Sequence, residues 1–277
     1  MKRKLAIILS VILIFGLTLT GCSPKEPAER PTDQAQVQAD TSWDDIKAKG
    51  EMVVGLDDAF PPMGFRNEQN EIIGFDIDLA KEVATRMGIK VKFQPVEWSG
   101  IIMELDSKKI DLIWNGLTIT PERQEKIGFT NAYIEDKQIL VVQKDSEIQN
   151  KADLADKKVA LQSGSSSMDA LKKDTATFES LAEVVEFTTN DEALMDLAAG
   201  RVDAVIVDEV VGRYYIAKEA EKYKVLEDNF GLEEFGVGIR KTDEAFLTEL
   251  QTAIDDMKAD GTAKKISEKW FGEDIIK

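Results

Sequence analysis

The chain has 277 residues, of which 43% are hydrophobic and 31% charged, a length and composition suited to one or two soluble folded domains. Its formal net charge of -17 at pH 7 would repel the phosphates of a nucleic acid, so we expect no nucleic-acid partner. With no histidine and one cysteine, the chain has no imidazole for a metal ion or for a nucleophile's base, and it cannot form an internal disulfide.

The N-terminus has the plan of a secretory signal. A basic start is followed by an apolar run over 5–19 and by small residues ahead of Cys22, which predicts a signal peptide over 1–21. The alternative, an uncleaved membrane helix, would need a longer apolar run. The segment 22–42 is proline-rich and polar, with few apolar side chains to bury, and we expect it to be a flexible tether.

From Trp43 onward, strand-like and helix-like patterns alternate. Strands are predicted at 52–56, 90–96, 110–114, 137–143, 158–161, 203–207 and 236–239. Helices are predicted at 75–87, 98–105, 168–173, 190–199, from 209, at 243–259 and at 262–270. This order predicts an α/β protein with parallel sheets covered by helices, whose ligand lies beyond the carboxyl ends of the strands.

Several motifs carry a family resemblance. They are GLDDAFPPMGF (55–65), GFDIDLAKEVA (74–84), EWSGIIMEL (97–105), DLIWNGLTITPERQEKIGFT (111–130), DLADKKVALQSGSSS (153–167), LAAGRVDAVIVDE (197–209) and EKWFG (268–272). From Trp43 to its end, the chain resembles the polar amino-acid-binding lipoproteins of ABC importers, the bacterial solute-binding protein family 3. GLTITPER is the most specific of these segments. The ending LTGC at 19–22 likewise resembles the lipobox of bacterial lipoproteins, which implies diacylation (palmitate) of Cys22.

The resemblance implies a two-lobed, periplasmic-binding-protein-like fold of the α/β class, hinge-linked, with the ligand cleft between the lobes. Residues 43–134 and 235–277 would form lobe 1, and residues 135–234 would form lobe 2. We expect the chain to cross between the lobes near 133–136 and 233–235.

A free amino acid offers a carboxylate, an ammonium and a side chain. For the carboxylate, the resemblance implies Arg123, whose planar guanidinium can bind it in bidentate fashion. The backbone N–H groups of Ser165 and Ser166, ahead of a helix, would bind it as well. The alternatives are a surface ion pair of Arg123 with Glu122 or Glu125 and an ordinary turn at the serines.

For the ammonium, the resemblance implies Asp208, which follows a strongly apolar strand. Backbone carbonyls near Asn115 and Gly116, with the Thr118 hydroxyl, would complete its shell, because Gly116 permits close approach of the backbone. The alternative for Asp208 is that its side chain caps the helix that follows.

For the ligand side chain, Phe60 and Trp98 match the aromatic positions that sandwich it, the alternative being plain core packing. Asp57 matches a position at the far end of polar side chains, with Asp58 either beside it or in solvent. Gln162 stands where some glutamine binders carry lysine. Two acids without a nearby lysine favour arginine or lysine as the ligand over glutamine, which stays possible.

The sequence thus predicts an extracellular, lipid-anchored, monomeric substrate-binding component of an ABC importer, exposed on the outer face of the cell membrane, or on its periplasmic side if the cell has two membranes. Its predicted partners are a free amino acid and the permease subunits, and we expect no catalytic residues, no metal and no cofactor. Two alternatives stay open, namely a dehydratase-type enzyme on the same fold and a free amino-acid-sensing co-receptor.

Overall fold

The structure of the protein is a computed structural model that describes residues 39–277. The predicted signal peptide, Cys22 and nearly all of the predicted tether lie outside these residues. The first helix begins at Ser42, the last residue of the segment predicted as tether. Across residues 39–277, no helix combines the length and the apolar character that crossing a membrane requires.

Strands and helices alternate along the described chain. In chain order, the strands are β1 (Glu51–Leu56), β2 (Ala59–Phe60), β3 (Gly64–Arg66), β4 (Ile72–Ile73), β5 (Lys90–Pro95), β6 (Leu112–Ile113), β7 (Gly128–Phe129), β8 (Ile134–Gln143), β9 (Lys158–Gln162), β10 (Glu183–Phe187), β11 (Ala204–Asp208), β12 (Tyr223–Phe235) and β13 (Gly238–Ile239). The α-helices are α1 (Ser42–Lys49), α2 (Phe75–Met87), α3 (Ile101–Asp106), α4 (Pro121–Lys126), α5 (Ser166–Lys173), α6 (Thr175–Ser180), α7 (Asn190–Ala198), α8 (Glu209–Lys218), α9 (Glu244–Ala259) and α10 (Thr262–Phe271).

Two five-stranded sheets form the centres of two lobes. Their strand orders are β5-β1-β6-β13-β7 in the first lobe and β10-β9-β11-β8-β12 in the second, and β2, β3 and β4 form a small separate sheet. Each large sheet has a parallel part, β5-β1-β6 in one and β10-β9-β11 in the other, extended by antiparallel strands. Strand β11 is buried along its whole length, as expected for a sheet covered on both faces. The predicted two-lobed α/β fold is confirmed.

Two neighbouring chain segments connect the lobes. Strand β8 follows β7 of the first sheet, and β12 leads back through 236–237 to β13. β8 and β12 pair with each other in antiparallel fashion, with Ile134 opposite Phe235 and Glu135 opposite Glu234. The crossings were expected near these paired positions, and they give the molecule the geometry of a hinge between lobes.

Candidate functional site

A cleft between the two lobes brings most of the predicted site residues together. It is lined by Phe60, Trp98, Gly116, Thr118 and Arg123 of the first lobe and by Gln162, Ser165, Ser166 and Asp208 of the second. Asp57 and Asn115 are the predicted residues that do not line it. Among the described residues, no group of three or more acidic, cysteine or histidine side chains comes together as a metal site.

The lobes touch each other across this cleft. The hydroxyl oxygens of Thr118 and Ser166 lie 3.0 Å apart. The Nη2 of Arg123 donates to the carbonyl oxygen of Gly164 over 3.1 Å. Because each contact joins the first lobe to the second, the described arrangement is a closed one.

Arg123 is held at the cleft by the start of α4. Thr120 caps this helix by accepting a hydrogen bond from the backbone N–H of Arg123 (3.1 Å), and Pro121 occupies the first helical position. The Nη1 of Arg123 donates to the carbonyl of Thr118 (2.9 Å), and its guanidinium carbon lies 5.9 Å from the centre of the Trp98 ring.

The charge of Arg123 is therefore directed into the cleft and away from the surface. Glu122, one of the alternative partners, pairs with Lys126 instead. Burial lowers the pKa of Arg123 from its ordinary value, while the carboxylates of Glu233 and Asp208 oppose this shift. A desolvated guanidinium near the cleft surface is suited to binding an anion such as a carboxylate.

Asp208 ends the apolar strand β11 and is 4% exposed. Its side chain makes no capping bond to α8, so the alternative reading as a helix cap is wrong. Asp136 of β8 takes that place by accepting from the N–H groups of Glu209 and Val210, both over 3.2 Å. The Oδ1 of Asp208 accepts from Gln138 (2.9 Å). Burial, followed by the charge of Glu233, raises the pKa of Asp208 to about 7.

The loop that contains Ser165 and Ser166 presents one backbone N–H donor where two were predicted. The N–H of Ser165 donates to the carbonyl of Gln162 (3.2 Å), and its hydroxyl donates to the same oxygen (2.7 Å). Ser166 is the first residue of α5, a position whose N–H has no partner within the helix. Of the two predicted anion donors, the N–H of Ser166 is therefore the one that is available, and Ser165 forms the turn that leads into the helix.

Asp57 and Asn115 are the two predicted site residues whose side chains lie behind the cleft wall. Asn115 is 1% exposed, and its Oδ1 accepts from the backbone N–H of Asp57 (3.0 Å), joining the ends of β1 and β6. Asp57 accepts from the Nε2 of Gln162 over 2.7 Å, a bond that crosses from lobe to lobe. Burial raises the pKa of Asp57. Asp58 pairs with Arg66 near the surface and does not join Asp57.

The rings of Phe60 and Trp98 face one another at the cleft. Their ring centres are 6.4 Å apart and their planes differ by 3°. Gly116 packs so closely against Phe60 that a Cβ atom on Gly116 would lie 2.8 Å from the Phe60 ring. The φ of 60° at Gly116 also favours glycine.

Sequence reasoning missed Glu233, Gln138 and Asp76. The Oε2 of Glu233 accepts from Thr118 and Ser166, both over 2.8 Å, and from Gln138 over 3.2 Å. Both Glu233 and Gln138 belong to the crossing strands, where the sequence offered only the signal of a hinge. Asp76 is fully buried and accepts from the N–H of Gly116 over 2.7 Å, so it fixes the backbone at the cleft. The motif GFDIDL contained Asp76, but its periodicity indicated only a helix.

Comparisons with known proteins identify the family. The model of bacterial extracellular solute-binding proteins, family 3, matches residues 52–273. The L-cystine-binding protein TcyJ of Escherichia coli (strain K12) is 32% identical over 234 residues, which are 84% of this chain and 86% of that protein. The chain belongs to this family of extracellular solute-binding proteins, as its motifs predicted.

Solved structures agree with this assignment. An ABC uptake transporter substrate-binding protein from Streptococcus pneumoniae with bound histidine has a TM-score of 0.82 and 36% identity, covering 86% of this chain and 98% of its own. An ancestral arginine-binding protein bound to arginine has a TM-score of 0.76 and 40% identity, covering 80% of this chain and 99% of its own.

The buried Asp76 leads to a prediction about stability. Burial raises the pKa of Asp76 from 3.8 to about 7, against hydrogen bonds from Gly116 and Tyr133 that lower it. Because the pKa is higher in the folded chain, the folded state retains a proton that the unfolded state has released, and stability falls as the pH rises through this window. From pH 5 to 7.5 this loss should be about 2–3 kcal/mol.

We expect Asp76→Asn to remove that part of the pH dependence, since an amide does not ionise. Urea unfolding of wild type and variant at pH 5 and 7.5 measures it. The control is Asp78→Asn, on the same helix and paired with exposed Lys269, which should keep the wild-type slope. An equal slope in wild type and Asp76→Asn would contradict the prediction.

Proposed function

We propose that the protein is the lipid-anchored, substrate-binding component of an ABC importer and that it binds a free polar amino acid in the cleft between its lobes. The observation that carries the proposal is the convergence of Arg123 from one lobe and Asp208 from the other on one cleft. A cationic and an anionic group that face a shared space match the two charges of a zwitterionic head group.

The head group has a defined place in this proposal. Its carboxylate binds the guanidinium of Arg123 and the N–H of Ser166 at the start of α5, where a helix terminus favours an anion. Its ammonium binds Asp208, the carbonyl of Gly116 and the hydroxyl of Thr118. Asp76 supports this arrangement because it holds the peptide of Gly116 in position.

The proposed ligand side chain lies between Phe60 and Trp98. Parallel aromatic faces stack well on a planar group and attract a cation. Buried Asp57 places a carboxylate at the far end of the cleft, where it accepts a hydrogen bond from Gln162. These features favour arginine or lysine, with glutamine as a second possibility. Relatives named for cystine, histidine and arginine support an amino acid as the ligand class.

The anchor and the transporter complete the proposal. We infer that residues 1–21 are removed, that Cys22 carries the lipid, and that 22–42 link it to the folded part. Residues 43–134 with 235–277 act as lobe 1 and 135–234 as lobe 2. Membership of an extracellular family supports a place on the outer face of the membrane. Closure of the monomer would give the permease a shape that differs from the empty form.

A thermal-shift screen of the purified folded part against the twenty amino acids tests the proposal. A ligand that binds only the folded state raises stability by about 2.7 kcal/mol when its concentration is a hundred times the dissociation constant. We expect one or a few polar amino acids to raise the melting temperature, arginine and lysine first. A screen in which none does so overturns the proposed function.

Replacing the head-group cation gives a sharper prediction. Arg123→Ala should weaken amino-acid binding by about two to three decades, because the ligand carboxylate would lose its buried partner at a cost of about 3–5 kcal/mol. Isothermal titration calorimetry measures this loss. The control is Arg201→Ala, since Arg201 is an exposed arginine that pairs with Asp196 away from the cleft. The amino-acid affinity of this variant should equal that of wild type. Retained wild-type affinity in Arg123→Ala would contradict the site.

Gly164 provides a test of closure. A Cβ atom on Gly164 would lie 2.8 Å from the Cα of Ser99 in the other lobe, and the φ of Gly164 is 75°. Gly164→Ala should therefore keep the lobes apart and lower affinity at least tenfold, a loss of about 1.4 kcal/mol. Gly272→Ala is the matched control, because its φ is 77° and its Cβ would meet nothing within 4 Å.

Both alanines should lose similar folding stability, about 1–2 kcal/mol, from the left-handed backbone. Small-angle X-ray scattering with saturating ligand should show a compact Gly272→Ala protein and a more extended Gly164→Ala protein. Equal compaction and affinity in the two variants would argue against closure at Gly164.

The anchor has its own test. Cys22→Ser removes the thiol that the lipid would modify, so the variant should appear in the culture medium or in the soluble extracellular fraction. Immunoblotting of membrane and soluble fractions measures the distribution. Wild-type membrane retention of the variant would contradict anchoring through Cys22.

A further inference from the structure

Glu233 reaches the cleft from the end of β12, next to the crossing between the lobes. It lies on β12 two residues before the crossing at Phe235, and its Oε2 accepts hydrogen bonds from the hydroxyls of Thr118 and Ser166. These two hydroxyls belong to opposite lobes and line the cleft. The carboxylate of Glu233 is therefore placed at the point where the lobes meet around the proposed head group.

Glu233 and Asp208 share one donor. The Nε2 of Gln138 lies 2.9 Å from the Oδ1 of Asp208 and 3.2 Å from the Oε2 of Glu233. Two carboxylate oxygens within hydrogen-bond reach of a single amide nitrogen are close to each other, and their like charges repel. A cation with several N–H donors would relieve this repulsion better than the neutral amide does.

The charged groups around Asp208 and Glu233 are compatible with a bound cation. Arg123 faces both carboxylates from α4 and attracts them. Behind Asp208, burial and then the charge of Asp208 raise the pKa of Asp136 on β8 well above its ordinary value, and the nearby Glu209 on α8 is paired with Lys137 and Arg213. When the carboxylate of a zwitterion binds Arg123, Asp208 and Glu233 still face the positive charge of the ammonium group of the same ligand.

We propose that Glu233 is a ligand-binding residue, a second carboxylate that receives the α-ammonium of the amino acid opposite Asp208. This inference rests on the proposed function and deepens it. The three N–H donors of a primary ammonium would bind Asp208, Glu233 and the Gly116 carbonyl. The site would therefore select ligands that carry an unsubstituted α-ammonium, a selectivity supplied by the hinge strand as well as by the lobes.

The test is calorimetric titration of the amino acid found in the screen into wild type, Glu233→Gln, Glu233→Asp and Glu234→Gln between pH 5 and 7.5. Glu234 is the matched control, since it is the next residue of β12 and pairs with the exposed Lys277. A hydrogen bond to a charged group contributes about 1.5–3 kcal/mol, so Glu233→Gln should bind about 10–100 times more weakly. Glu234→Gln should stay within about twofold of wild type.

The pH profile tests whether the charge of Glu233 acts beside Asp208, on the ammonium side of the cleft. In wild type, affinity should fall as the pH drops below about 7, because Asp208 takes up a proton in the empty cleft. The charge of Glu233 raises the pKa of Asp208, so Glu233→Gln should move this fall to lower pH. Glu233→Asp keeps the charge, and its fall should stay near the wild-type pH even where its affinity is lower.

Each outcome decides the question. If Glu233→Gln binds within twofold of wild type, Glu233 does not bind the ligand. If Glu233→Gln binds more weakly but its pH profile is unchanged, or its unfolding midpoint is lower, Glu233 has only a structural role between the lobes. Either result overturns the proposal. If wild type binds no amino acid, the proposed function itself fails, an outcome that the first titration shows before any variant is measured.

Discussion

The structure depends on holding a half-buried guanidinium and a buried carboxylate on opposite walls of one cleft. Taking either charge out of water is costly unless hydrogen bonds compensate it. Arg123 receives this support from the carbonyls of Thr118 and Gly164, and Asp208 receives it from Gln138. Because the support for Arg123 includes a carbonyl of the opposite lobe, part of its hydrogen bonding depends on the closed arrangement.

Helix capping around the cleft is arranged so that these charges stay available. Thr120 satisfies the start of α4 and leaves the side chain of Arg123 to the cleft. At the start of α8, Asp136 accepts the N–H groups that Asp208 would otherwise cap. The crossing strands therefore do more than connect the lobes. Through Asp136, Gln138 and Glu233, they supply part of the polar wall against which the head group is proposed to lie.

The alternation of strands and helices was predictable from apolar periodicity, and the motifs predicted where the cleft would be. Short strands such as β2 and β3 were not predictable, because two or three residues carry no period. Asp57 followed a buried strand as Asp208 did, yet it lies behind the wall, since Gln162 reaches across the cleft to cover it. Glu233 could not be identified, because its contacts come from Thr118 and Ser166, distant in sequence and joined only by closure.

In the proposed function, selectivity among ligands is decided at the far end of the cleft, where Asp57 and Gln162 meet. The amide of Gln162 is oriented by three contacts, since its Nε2 donates to Asp57 and to the carbonyl of Thr188 while its Oε1 accepts from Asn190. A neutral side chain can leave this arrangement intact. A cationic side chain would compensate the desolvated charge of Asp57, which burial otherwise disfavours through a raised pKa. Under this proposal, the balance between keeping the Gln162 bond and replacing it with a cation would determine how strongly arginine or lysine is preferred over glutamine.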